Sequence, residues 1–537
     1  MNNIEFLKEQ IDISSYVDEI IESCQEEQLG LPYALNRILK KSLKKIDAIF
    51  GFIYTYDESM KKRFFYSGAK EFIDEFNLRK LQDSEESLLW DSKDFILVLQ
   101  PLDIAGEKIG SVGFIFPKED SDNYTEKNKI RVNLFCEEID NYLYNINHSR
   151  IKQNLVKELN YALRNPILND GIINAISILK DSVLFKDIFL IYRNDRKDSN
   201  WHYKYFIKDT LVYDSTIKEF KNEKLEEKIR NNDILSLSNK EVAKLLNLSE
   251  HVENLLITGA TEDDELGKIL ISSTGKGFNT YAKDLIDLFS QTINYRLIDF
   301  NRERSRLRRF FSQDTTYRLL AEPNYKNHHL KPQVKDVAIL FTDINSFTKI
   351  SEQVFDNPQE LGVFIDTWSS GAIDIVYKNG GVFDKMVGDC VIALFAPPFF
   401  DKKPIDCIAS ALKTAYEIQK FTIELGKKVK KILESPLLEN GLGVATGINF
   451  APLNVGFFGP YEDYTGFSSG MNNTARLQAL ASFRETFIME NLKDYLDKIK
   501  DEALLDIEFS LKENQKSKVK NVKDPLSYYP VDFNFQN

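Results

Sequence analysis

Two aspartates stand where they could do chemistry. Asp343 ends the apolar run VAILFTD that begins at Val337, and Asp389 lies in the turn Gly388-Asp389 between GGVFDKMV and CVIALFA. An aspartate at a strand end or hairpin turn is ordinarily a turn former. Both of these, however, flank strands apolar enough to demand burial, and adjacent buried strands would bring the two carboxylates together. Neither can then stay ionised without a counter-charge. Hard divalent cations supply one, and Mg²⁺ commonly takes one or two carboxylates together with substrate phosphates. Asn472 and Arg476 lie four apart in helical sequence after YEDYTGFSSG, so they share one helix face. Alone, that pair reads as an exposed polar face.

The elements that must position these residues fall in the last of three blocks, which begins near Val334 with a strand, a helix start at Asn345-Ser346 and a hairpin. The first block, 31–147, reads as strands DAIFGFIYTYDE and KRFFYSGA, then a strand, a turn at Ala105-Gly106 and another strand. A helix from about Thr125 follows, with Leu134, Ile139, Leu143 and Ile146 on one face, continuing through Leu163. The second block, 166–297, repeats that order, with Gly267 in the place of Gly110. Between the second and third blocks, Ile286, Ile293, Phe300 and Leu307 recur every seven residues, with Leu297 on the alternate row and Ser290 and Arg304 breaking it. That spacing reads as a short parallel coiled coil, with a stripe packed on its own domain as the alternative. The run Arg302–Arg309 reads as a solvated helix face.

A chain of 537 residues, 43% hydrophobic and 28% charged, accommodates several folded domains. Its net charge of −12 argues against general binding to nucleic acid or anionic membrane. Cys24, Cys136, Cys390 and Cys407 are scattered, without a CxxC pair, as expected of a reducing compartment. The N-terminus lacks a signal-peptide apolar core, and no stretch reaches the roughly 20 apolar residues that span a bilayer. A cytoplasmic protein is expected.

FTDINSFT, DKMVGDCVIALF, NVGFFGPYEDYT and MNNTARLQ, in that order and spacing, resemble the class III adenylate/guanylate cyclase catalytic domain in its bacterial form. The segment RRFFSQDTTYRLLAEPNYKNHHLKPQVKDVAILFTDI resembles the linker before it. The resemblance implies an α/β (α+β) fold with a ferredoxin-like βαββαβ catalytic domain at 334–537. It assigns Asp343 and Asp389 to two Mg²⁺ or Mn²⁺ ions per active site, Arg476 to charge on the α-phosphate and Asn472 to the ribose. Lys385 and Thr465 fall where the family reads the purine. A Lys donor suits adenine N1 and a Thr acceptor suits its 6-amino group, so ATP is the expected substrate and cyclic AMP the product. Lys520 matches a family lysine on the triphosphate, or is one more charge on a solvated strand end. The family draws each site from two subunits, so a homodimer with shared sites is expected.

Gly466 and Phe467-Ser468-Ser469 depart from the family pattern beside the base, which leaves GTP or pyrimidine nucleotides open; a silent cyclase-fold scaffold is the remaining alternative. The two upstream blocks resemble tandem GAF domains, with PAS-type sensors as the alternative. They are expected at 31–147 and 166–297, after an N-terminal helix at 1–30 and before a helical or coiled-coil linker at 298–333. An unknown small molecule would be their ligand.

Overall fold

The computed structural model describes residues 3–57, 61–81, 86–104, 107–119, 122–193, 201–232, 234–246, 248, 252–258, 265–275, 277–519 and 525–534. The chain divides into two compact units, Met1–Lys157 and Glu158–Asn537.

In the first unit, Leu31, Ala34, Leu35, Ile38, Leu39 and Ser42 are the buried residues of helix Leu31–Lys45. This helical period lays one apolar stripe on a core. The core is one face of an antiparallel sheet of β1 (Phe50–Tyr56), β2 (Lys62–Gly68), β3 (Leu88–Asp91), β4 (Phe95–Ile104) and β5 (Glu107–Pro117), in the order β2-β1-β5-β4-β3. Helix Asp122–Leu163 adds Val132, Phe135, Ile139 and Leu143 to the same core and continues into the second unit.

The second unit opens with another antiparallel sheet: β6 (Phe185–Tyr192), β7 (His202–Ile207), β8 (Thr210–Asp214), β9 (Val252–Thr258) and β10 (Glu265–Ser273), in the order β8-β7-β6-β10-β9. Both sheets set their first strand between the second and the last, and the last beside the penultimate. They differ in which edge carries the fifth strand. Gly110 and Gly267 share a physical cause: a Cβ would lie 1.8 Å from the Tyr54 carbonyl oxygen at the first and 2.2 Å from that of Ile191 at the second. Only glycine permits so close a backbone approach. The turn at Ala105-Gly106 lies outside the described residues.

Helix Thr280–Leu307 corrects the coiled-coil expectation. Ile286, Ile293, Leu297, Phe300 and Leu307 are buried within the chain itself, as are Ser290 and Arg304. The stripe is therefore occupied by its own unit, packing with helix Leu168–Ser182 and β9, and does not present a free seam. Nor is the arginine run simply solvated. Arg304 is buried, Arg306 pairs with Glu462, and the Arg306 and Arg308 guanidiniums lie 5.5 and 5.8 Å from the Phe457 and Tyr377 ring centres.

Beyond the helix, Phe310 and Phe311 plug into the C-terminal sheet. The Phe383 N–H donates to the Phe310 carbonyl at 2.9 Å, and the Phe311 ring meets Tyr464 edge-on at 4.8 Å. Residues 310 and 311 thus pack into the core of the block they precede. A fragment starting at Ser305 is expected to melt cooperatively. One starting at Val334 loses the burial of two phenylalanines, worth about 3–5 kcal/mol each, and should melt far lower or be isolated as aggregate. Calorimetry of the two fragments checks this.

That sheet is built in chain order from β11 (Gln333–Ile344), helix Pro358–Lys378, the hairpin β12 (Val382–Val387) and β13 (Cys390–Phe395), helix Pro404–Lys428 and β14 (Val444–Phe458). There follow β15 (Asp463–Phe467), helix Ser469–Leu480, β16 (Thr486–Met489), helix Lys493–Asp501, β17 (Phe509–Leu511), β18 (Gln515–Ser517) and β19 (Leu526–Phe533). The order is β12-β13-β11-β14-β16-β19-β17, with β15 on β14 and β18 on β19. The two long helices bury Trp368, Ala372, Leu412, Ala415 and Ile418 in one core with Ala338, Leu340, Ala393 and Phe395 of the sheet. The Trp368 indole N–H is satisfied by Thr422 Oγ1 at 2.9 Å. This rigid layer fixes the strand ends that carry the aspartates.

Candidate active site

β11 pairs antiparallel with β13, Thr342 opposite Val391, so Asp343 emerges beside the Gly388-Asp389 turn. The Ile344 N–H donates to Asp389 Oδ2 at 3.1 Å and holds that carboxylate against the strand end. Burial, and then the neighbouring Asp343 carboxylate, push Asp389 up to about 7. Asp343 Oδ1 is buried without a hydrogen-bond partner. Paired, partly desolvated carboxylates with a spare oxygen fit a hard divalent cation. Among the described residues no group of three or more His, Cys, Asp or Glu side chains could hold a metal, so the pair would need oxygens from a bound phosphate to complete a shell. The Cys390 thiol beside them is pushed up to about 12 by burial and the two acids, which leaves it unreactive near neutrality.

A second group of residues forms across β12 and β15. Lys385 Nζ is half-exposed and stands 5.9 Å from the centre of the Phe467 ring, while Thr465, two residues before Phe467 on β15, is buried. Gly466 has a local cause: a Cβ there would come within 2.5 Å of Leu453 Cδ2. The leucine occupies the room that a side chain at 466 would need.

Helix Ser469–Leu480 starts at Ser468, whose Oγ accepts from the Gly470 and Met471 N–H groups at 2.9 and 3.4 Å. Such a cap satisfies the free N–H groups of a first turn. Met471, Thr474 and Leu477 face inward. Asn472 is exposed and Arg476 half-buried, its Nη1 donating to Asn473 Oδ1 at 3.1 Å. Lys520 lies outside the described residues.

Sequence reasoning passed over three residues. Asp384 is buried between Phe383 and Lys385, Tyr464 is buried with its hydroxyl unpaired, and Phe311 backs it. The available signal was an acid within the largely apolar stretch GGVFDKMV.

A separate cavity of about 750 Å³ is lined by Tyr192, Trp201, Tyr203, Ile229, Phe300 and Tyr317, among others. It joins the β6–β10 sheet to the linker, where the Tyr317 hydroxyl meets His202 Nε2 at 3.2 Å.

Residues 330–532 match the family model of the adenylate and guanylate cyclase catalytic domain. That match to a class III cyclase catalytic domain supports a nucleotidyl cyclase enzyme. An uncharacterized protein of Mycobacterium tuberculosis is 29% identical over 187 residues, 35% of this chain and 30% of the relative. The chain thus spans about a third of that relative's length. A photoactivated adenylate cyclase subunit alpha-like protein of Euglena gracilis is 33% identical over 116 residues, 22% of this chain and 10% of the relative. Among solved structures, the adenylyl cyclase CyaB from P. aeruginosa is 26% identical with a TM-score of 0.32, covering 38% of this chain and 96% of that one. Among the described residues no helix is long and apolar enough to cross a membrane.

Proposed function

We propose that the protein is an adenylate cyclase, converting ATP to 3′,5′-cyclic AMP and pyrophosphate as a homodimer. The ribose 3′-oxygen attacks the α-phosphorus, the bond to the β-phosphate oxygen breaks, and pyrophosphate leaves. Asp343 and Asp389 would hold two divalent cations, Mg²⁺ or Mn²⁺, which when bound would supply charge neutralisation on the triphosphate and ease loss of the 3′-hydroxyl proton to water. Arg476 stabilises charge growing on the α-phosphate, and Asn472 orients the ribose. Such groups work by preorganised electrostatics and positioning. Lys385 donates to adenine N1 and Thr465 accepts from the 6-amino group.

The observation that carries this reading is the Asp343–Asp389 pair at the end of a rigid sheet, with Asp389 raised by burial and by the neighbouring Asp343 carboxylate, within a segment that matches the cyclase family. The dimer is supported by Arg476, which spends its hydrogen bond on Asn473 while Asp343 Oδ1 is left without a partner. A second copy can bring the arginine face of one chain to the acids of the other. We take the two upstream sheets as GAF-like sensor domains and the cavity at Tyr192 and Tyr317 as one place where a ligand could bias the linker. If so, removing residues before Ser305 changes activity at matched dimer content; equal activity would exclude that regulation.

Relaxed base selection is the second reading, favoured by Leu453 filling the space at Gly466. The test incubates the purified chain with each of four nucleoside triphosphates and Mg²⁺ or Mn²⁺. Cyclic AMP should dominate, and Lys385→Glu with Thr465→Cys should move preference towards GTP by about tenfold or more. No cyclic product from any nucleotide would overturn the enzyme reading.

A further inference from the structure

Behind the base-reading pair lies a carboxylate to which the reading above gives no task. Asp384 is only 4% exposed, yet it stands on the hairpin strand between two half-exposed residues. The pairing of β12 with β13 explains its direction. Phe383 is opposite Ala393 and Lys385 opposite Ile392, so Asp384 is the extra residue of a β-bulge. Bulges re-aim side chains beside active sites. This one turns the carboxylate inward towards β15.

What faces Asp384 is polar and incompletely paired. Lys385 Nζ lies 3.8 Å from Oδ2. Thr465, 6% exposed, stands close enough to lower the carboxyl as a hydrogen-bond donor, against a larger upward push from burial that leaves Asp384 at about 6. Tyr464 is wholly buried and feels the Asp384 charge, which adds to its own upward shift. Yet neither Asp384 oxygen, nor Thr465 Oγ1, nor the Tyr464 hydroxyl completes a hydrogen bond of good geometry. The groups are adjacent and the contact is open. Buried polar groups left so are costly, and their collection beside the expected base position suits a contact that closes when nucleotide binds.

From this we infer that Asp384 is a specificity-determining positioning residue: its carboxylate accepts a hydrogen bond from the Thr465 hydroxyl and so leaves Thr465 only lone pairs to offer the base. A threonine hydroxyl has one proton and two lone pairs. With its O–H donated in a hydrogen bond to Asp384, Oγ1 can accept from an exocyclic amino group and cannot donate to a 6-oxo group. Lys385, 3.8 Å from the same carboxylate, is meanwhile held as the donor for the ring nitrogen. Together they select a purine that presents an acceptor beside an amino donor. The inference rests on the adenylate reading and explains how a threonine, indifferent by itself, can serve it.

The test uses the full-length protein with ATP and GTP, recording kcat and KM for each from pH 5 to 8. Asp384→Asn should lower the ATP:GTP ratio of kcat/KM by at least about tenfold, mainly by raising KM for ATP. It should also flatten any dependence of that ratio on pH near 6. Asp384→Glu, which keeps the carboxylate, should restore part of the preference. In a Thr465→Val background, Asp384→Asn should change the ratio no further, because the hydroxyl it orients is gone. An unchanged ratio in Asp384→Asn, an equal loss on both nucleotides, or a full effect without the Thr465 hydroxyl would each overturn the inference while leaving an ATP-preferring wild type intact. A wild type that prefers GTP, or cyclises nothing, overturns the adenylate reading and this inference with it.

Discussion

Asp343→Ala or Asp389→Ala is expected to cut cyclic AMP formation by about a hundredfold to a thousandfold, with little loss of fold stability. The two effects separate because the acids stand at a site of mutual repulsion. Asp389 is raised from its ordinary 3.8 to about 7 by burial and by Asp343. A carboxyl whose folded value exceeds its unfolded one withdraws stability as pH rises between those values. Removing Asp343 relieves part of that cost, so the melting temperature of the variant in chelator should equal or exceed that of the wild type at pH 7.5. The rise in melting temperature on adding Mg²⁺ and nucleotide should disappear. Product assay and thermal melting with and without Mg²⁺ read both outcomes. A variant that melts many degrees lower would mean the aspartate is a turn-forming support.

Mixing two inactive variants should restore activity. Asp343→Ala removes the acid half of every site, and Arg476→Ala removes the arginine half. If each site draws one half from each chain, random exchange yields about half heterodimers, and each heterodimer has one site intact and one doubly damaged. Activity should therefore recover to roughly a quarter of the wild-type value after co-expression or co-refolding. No such recovery can occur if each chain houses both halves of its own site. Mixed samples that stay at the level of the separate variants, with heterodimers verified by mass, would exclude shared sites. The two substitutions lie on different elements, β11 and helix Ser469–Leu480, and in the heterodimer each is carried by a different chain.

Much of the C-terminal sheet was legible because its strands are long apolar runs broken by glycines. Asp343 and Asp389 stand out in the sequence because they end such runs. The heptad row of helix Thr280–Leu307 misled for a definite reason. A seven-residue apolar period says that one face is covered, and it is silent on whether a second chain or the same chain covers it. Here the cover is helix Leu168–Ser182 and its sheet. Arg304 misled likewise, since a long side chain can bury its stem in apolar surroundings. Asp384 was missed because an acid beside a lysine reads as a solvated pair; the bulge that turns it inward depends on registry with β13. Lengths and periods reveal elements, whereas registry and packing decide which polar groups meet.

The plug formed by Phe310 and Phe311 bears on how such a protein could be rewired. The helix ending at Leu307 leads directly into side chains that rest on Tyr464 and Phe457, so any foreign input module joined upstream is coupled through helical phase. One inserted residue turns the downstream face by about 100° and would swing Arg306 away from Glu462. Seven inserted residues return the face to within about 20°. Grafted chimeras should therefore work in a periodic set of lengths, with the junction inside Thr280–Leu307 and never at the start of β11.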